Sequence, residues 1–193
     1  MFSRRLGRTL VALLTGATAT FGATLTSPAA ASADVRIAAT VCYNASQAPS
    51  FTGVASQAAS IWNNATSNVN LSACGNNLRI YQITGGGSYA VRTSLGNGRV
   101  YIDTQQAQQY SPLRIMAHEI GHILGLPDNY NGNCAILMSG GSAGTSCTNP
   151  YPSSTEAARV DTLFAGTRIS AENGEQVFRD SWPSLVGTAA HAG

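Results

Sequence analysis

The segment AHEIGHILGLPD, residues 117–128, constrains this chain more than any other. His118 and His122 are four residues apart. On a helix that spacing places them on one face about one turn apart, so both imidazoles can reach a single ion. Glu119 is rotated by roughly 100° from His118. It flanks the ion, where it can act on a water, which is the physical content of an H-E-x-x-H pattern. Gly125 lets the chain turn sharply after the helix, and Asp128 can then come back under the ion. The chain holds three histidines, and His191 sits in a weakly patterned C-terminal stretch, so Asp128 is the best-placed third ligand. A carboxylate is a normal zinc ligand, and three protein ligands with one open position define a catalytic rather than a structural zinc site. Taken singly, each residue has an ordinary reading: core histidines, a helix-surface acid, a turn residue after Pro127. Together, with the glycine between them, they point to a metal centre.

The 193 residues suit one domain with additions. Residues 1–33 read as a secretory signal peptide: Arg4, Arg5 and Arg8 come first, then an apolar run of small residues, then Ala31-Ser32-Ala33 as the cleavage site. The apolar run is too short and too rich in Thr and Gly to serve as a membrane anchor. The arginine pair hints at twin-arginine export, but Sec export is the simpler reading. The mature protein is therefore expected to be secreted and extracellular, with no membrane attachment after cleavage. Cleavage leaves 8 Arg against 9 Asp plus Glu, moving the formal charge from +2 to −1, and the chain has no lysine. Nothing in this balance supplies the clustered basic face that nucleic acid requires. The four cysteines, Cys42, Cys74, Cys134 and Cys147, all come after the signal. In an exported chain they imply disulfides, with three pairings possible. A cysteine zinc site would need a C-x-x-C pair, which is absent.

Residues 36–44 read as a first strand, with Ile37, Val41 and Tyr43 as β-formers. Phe51, Val54, Ala58, Ile61, Trp62 and Ala65 recur at helical spacing and predict an amphipathic helix packed on a sheet. Residues 78–84 read as a strand. Residues 85–104 read as two strands joined by a Gly96-Asn97-Gly98 turn. The ligand helix starts at Pro112, capped by Ser111, and ends at Gly125. A last helix runs from Ser154-Thr155-Glu156, with Ala158, Val160, Leu163 and Phe164 on its apolar side, to Gly166. This divides the chain into a signal peptide (1–33), a short leader (34–37), a domain built around the candidate metal centre (38–166) and a C-terminal tail (167–193). The tail carries Trp182 and Pro183 but no sustained period, and reads as an appendage. The leader is too short to be a pro-domain.

HEIGHILGLPD is similar to the metzincin zinc metalloprotease pattern, with Asp in place of the usual third histidine. That replacement resembles the snapalysins, the small secreted neutral proteases of actinomycete bacteria. The resemblance runs from about residue 38 to 166, through SQAPSF, SNVNL, GSYA, QQYSPLR, the zinc segment, LMSGG and SCTNPYP. It implies an α+β, metzincin-like single domain. A small twisted mixed sheet would pack on helices, with the zinc helix followed by a Met-turn and a C-terminal helix. It implies that Met138 is the Met-turn residue, a hydrophobic floor under the zinc, and that Cys134 pairs with Cys147. It places substrate along a sheet edge at about residues 87–92, and an aromatic residue after the cut bond in a pocket walled by residues 138–151. The family's calcium site uses Asp and Thr where this chain has Ser111 and Leu113, which counts against calcium there. Cys42, Cys74 and the tail are additions to the family pattern.

The resulting expectation is a monomeric zinc endopeptidase acting on proteins or peptides. His118, His122 and Asp128 hold the zinc, and Glu119 is general base to the water the zinc activates. Tyr130 is the first candidate to hydrogen-bond the oxyanion and Tyr151 the second. The competing reading is a secreted zinc-binding or protease-inhibiting module without catalysis. Retention of Glu119 counts against it.

Overall fold

A mixed sheet carries the helix that bears His118 and His122. Its strands are β1 (Ala39–Gln47), β2 (Val69–Ser72), β3 (Leu78–Ile83), β4 (Tyr89–Ser94), β5 (Asn97–Asp103) and β6 (Gln176–Arg179), in the order β2-β1-β3-β5-β4-β6. β1 pairs parallel with β2 and β3, β3 pairs parallel with β5, and β4 pairs antiparallel with β5 and β6. The computed structural model describes residues 38–165 and 174–179. The expected signal peptide and leader, Gly166, Trp182 and His191 lie outside them. All described residues belong to the unit Val35–Gly193, and no helix among them is long and apolar enough to cross a membrane. The α+β architecture expected from the sequence is the one found.

Three helices cover the sheet: α1 (Thr52–Ala65), α2 (Pro112–Ile123) and α3 (Ser154–Ala165). Parallel neighbours need a crossover, and α1 supplies the one from β1 to β2. Its Ala55, Ala58, Ala59, Ile61 and Trp62 are buried, close to the face the periodicity predicts. Leu78, Ile80, Val100 and Ile102 of the sheet meet Ile115, Met116, Ile120 and Ile123 of α2 in one apolar core. Burying each such side chain stabilises the fold by about 1.5–3 kcal/mol. Trp62 is fully buried, and its indole N–H donates to the Ala117 carbonyl at 2.9 Å, tying α1 to the ligand helix.

Three local features differ from the sequence expectation. The β4–β5 turn comes one residue early: Ser94 pairs with Asn97, so Leu95 and Gly96 form the loop, with Gly96 at φ +74. Asn97 and Gly98 already belong to β5. Gly98 is required there for another reason, because a Cβ would come within 2.1 Å of the Val91 carbonyl oxygen. The short strand β2 went unread. So did β6, which lies within the stretch taken as an appendage and adds to the outer edge of β4. The cysteines pair as Cys42–Cys74 and Cys134–Cys147.

Candidate metal centre

α2 begins where Pro112 succeeds Ser111, whose hydroxyl accepts from the Arg114 N–H at 3.4 Å. It ends on a Schellman motif: Gly125 N–H donates to His122 O and Leu126 N–H donates to Gly121 O, both at 3.0 Å. Gly125 takes φ +101, and a Cβ there would lie 2.6 Å from Leu163 Cδ1. This turn reverses the chain and carries Asp128 back to the helix face. Asp128 Oδ1 then stands 3.4 Å from both His118 Nε2 and His122 Nε2, and the two Nε2 atoms stand 3.1 Å apart. Tetrahedral zinc with ligands at about 2.0–2.1 Å has ligand–ligand edges of about 3.3–3.4 Å. The three atoms therefore outline one face of such a tetrahedron.

Hydrogen bonding sets the imidazole tautomers. His118 Nδ1 lies 3.0 Å from Leu137 O and His122 Nδ1 lies 2.9 Å from Leu126 O. A carbonyl accepts, so each Nδ1 donates and each Nε2 presents a lone pair to the centre. Two lone pairs and a carboxylate oxygen converging at this range repel unless a cation lies among them. The donor set fits a metal ion. His118, His122 and Glu119 are fully buried, while the Asp128 side chain is partly exposed.

The floor comes from the segment Leu137–Ala143. Met138 is buried, and its Sδ packs so closely on the ligand helix that a Cβ on Gly121 would sit 2.8 Å from it. Gly140, at φ +54, is tightly hemmed in: a Cβ would lie 3.2 Å from both His118 Cε1 and Tyr130 Cε1. Tyr130 is thus near His118 with its side chain partly in solvent, whereas Tyr151 is well exposed. Ser111 serves as the α2 cap, and Leu113 packs against the core.

Two charged residues that position this floor escaped the sequence reading. Arg114, buried on α2, donates to the carbonyls of Asn149 at 2.5 Å and Ile136 at 2.9 Å and to Ser139 Oγ at 2.9 Å. Burial pushes its guanidinium below the usual value, opposed by the Glu156 carboxylate. Glu156 accepts from the N–H groups of Leu137 at 3.1 Å and Met138 at 2.8 Å. It also completes a capping box with Ser153 at the start of α3. The sequence signals were an arginine inside the apolar run PLRIMAHEIGHIL and the Ser153-x-x-Glu156 spacing of the capping box.

A sequence profile of the Streptomyces extracellular neutral proteinase (M7) family matches residues 38–167. The chain belongs to this family. The match bears out the resemblance read from the zinc segment. Among M7 relatives, the extracellular small neutral protease of Streptomyces caespitosus is 50% identical over 128 residues, covering 65% of this chain and 97% of that protein. The protein of the same description from Streptomyces lividans is 49% identical over 139 residues, covering 70% of this chain and 61% of that protein. The one from Streptomyces coelicolor is 47% identical over 132 residues, covering 67% of this chain and 61% of that protein. The chain thus spans about three fifths of the longer M7 relatives and nearly all of the shorter one. The M7 match ends at residue 167, before β6.

Proposed function

We propose that the protein is an extracellular zinc endopeptidase that hydrolyses peptide bonds in proteins. The observation that carries this is the His118–His122–Asp128 triangle, beside the buried Glu119, in a chain of the M7 family. His118, His122 and Asp128 would hold the ion through Nε2, Nε2 and a carboxylate oxygen. When bound, zinc supplies Lewis acidity, lowering the pKa of water toward about 7 and polarising the scissile carbonyl. Glu119 takes the proton of the attacking water and delivers it to the leaving amine as the C–N bond breaks. The Tyr130 hydroxyl donates to the oxyanion that develops. The Leu137 and Leu126 carbonyls, accepting from Nδ1 of His118 and His122, keep the imidazoles from tilting. An extended substrate adds along the outer edge of β4, at residues 87–92, through backbone hydrogen bonds. The side chain after the cut bond enters a pocket walled by residues 138–151, where the resemblance to snapalysins implies an aromatic preference.

The test measures zinc per chain and casein hydrolysis for the secreted protein and for Glu119→Ala. One zinc in each, with hydrolysis in the parent alone and lost on chelation, is the expected result. No zinc in the parent overturns the site. Zinc without hydrolysis, both in the full chain and in a chain ending at Ala165, overturns the activity and leaves a binding module.

A further inference from the structure

Were β6 absent, β4 would be the terminal strand of the sheet. The outer edge of β4 runs beside the ligand helix: Arg92 Nη1 donates to the His122 carbonyl oxygen at 2.8 Å. β6 fills that edge, pairing antiparallel with β4 from Tyr89↔Arg179 to Arg92↔Gln176. The pairing lays the Phe178 ring on the His122 imidazole, with centroids 4.4 Å apart and planes 13° apart. The Arg92 guanidinium carbon lies 5.1 Å from the centre of the same ring. Arg92 also donates to the Gln176 side chain. Arg179 lies over Tyr89 at 4.7 Å, and Glu175 pairs with Arg99 of β5 at 2.8 Å.

An extended peptide that adds to a sheet edge uses the backbone N–H and C=O groups of that edge. Two peptides cannot use the same groups. The stretch of β4 that β6 covers is the stretch beside the metal ligands, and Phe178 occupies space against one of them. The M7 match stops at residue 167, and 128 aligned residues cover 97% of the S. caespitosus relative. The family match thus supplies no counterpart for residues 175–179.

We infer that the segment Glu175–Arg179 is an internal competitor for the substrate edge. The surface it covers receives an extended peptide with an aromatic side chain against His122, and the segment must leave before a substrate strand can add. Its attachment is suited to leaving. β6 has four residues, Val177 is half exposed, and the Arg99–Glu175 pair lies at the surface where solvent and salt screen it. This inference rests on the endopeptidase reading for its consequence, but the occupancy itself can be measured without catalysis.

The experiment compares the full chain, its Phe178→Asp and Phe178→Tyr variants, and a chain ending at Ala165, all loaded with zinc. Cleavage of a fluorogenic peptide is followed against substrate concentration, and binding of a labelled peptide of sequence GEQVFR is followed by anisotropy. A tethered competitor acts at high effective concentration, so release is expected to lower KM by about tenfold. That drop should appear in Phe178→Asp and in the shortened chain with kcat unchanged, and Phe178→Tyr should behave as the parent. The labelled peptide should bind the shortened chain, inhibit it competitively, and fail to bind the full chain. Equal KM in the full chain, Phe178→Asp and the shortened chain overturns the inference while leaving the endopeptidase intact. If none of the chains cuts any substrate, the endopeptidase reading fails and binding alone decides. Peptide bound by the shortened chain and not by the full chain supports the occupancy. Equal binding to both, or to neither, overturns it.

Discussion

Tyr130 and His118 share the space above Gly140, which puts the proposed oxyanion donor beside a proposed metal ligand. Tyr130→Phe is expected to lower kcat by about tenfold or more, since a lost oxyanion donor removes transition-state stabilisation. Zinc content should stay at one per chain, because Tyr130 is not among the three ligands. Unchanged kcat removes this residue from the mechanism. At this scale the cluster that could hold a metal ion, His118, His122 and Asp128, was readable in the sequence because its geometry is local. Two histidines at a four-residue spacing, a glycine and an aspartate all lie within one short segment. Arg114 and Glu156 were not readable. Arg114 reaches carbonyls 22 and 35 residues away, and Glu156 reaches amides 18 and 19 residues away. Backbone groups carry no residue-type signature, so nothing in the chain's letters announces their partners.

The turn that ends α2 joins the helix to Asp128, the third member of the candidate metal cluster. Gly125→Ala would force a side chain into φ +101 and against Leu163 and Leu95, whose Cδ1 atoms lie 2.6 and 2.9 Å from the new Cβ. The conformation alone costs about 1–2 kcal/mol, and the contacts add to it. Thermal melts with and without zinc are expected to show a lower Tm in both cases, with a smaller gain from zinc than in the parent. An undiminished gain would mean that Asp128 does not depend on this turn. Elements with a sustained period were legible: α1, α2, α3 and the β4–β5 hairpin all stand where the apolar spacing put them. The hairpin turn slipped by one residue because two glycines flank Asn97 and each satisfies a different need. Gly96 makes the turn, and Gly98 makes room for the Val91 carbonyl. β2 was missed because four residues, Val69–Ser72, are too few for a pattern. Its strand character comes from its parallel partner β1.

The whole sheet shows the same limit more sharply. β6 is a strand only because the edge of β4 offers it partners. The family resemblance covered residues 38–166 and therefore said nothing of residues 176–179. Both cross-links, by contrast, fall inside the family match, and each closes a segment of chain: Cys42–Cys74 spans 32 residues and Cys134–Cys147 spans 13. Under the proposed endopeptidase activity each molecule is surrounded by copies of itself as substrates, and its exposed loops are the first bonds at risk. A nick between Cys42 and Cys74, or between Cys134 and Cys147, would leave the two pieces covalently joined. Aged preparations run on a denaturing gel should therefore show one full-length band without reductant and discrete fragments with it, for cuts inside either loop. Fragments without reductant would place the first cuts elsewhere. The bridge from Cys134 to Cys147 encloses the whole segment Leu137–Ala143, so the floor of the site lies within a loop that a single cut cannot detach.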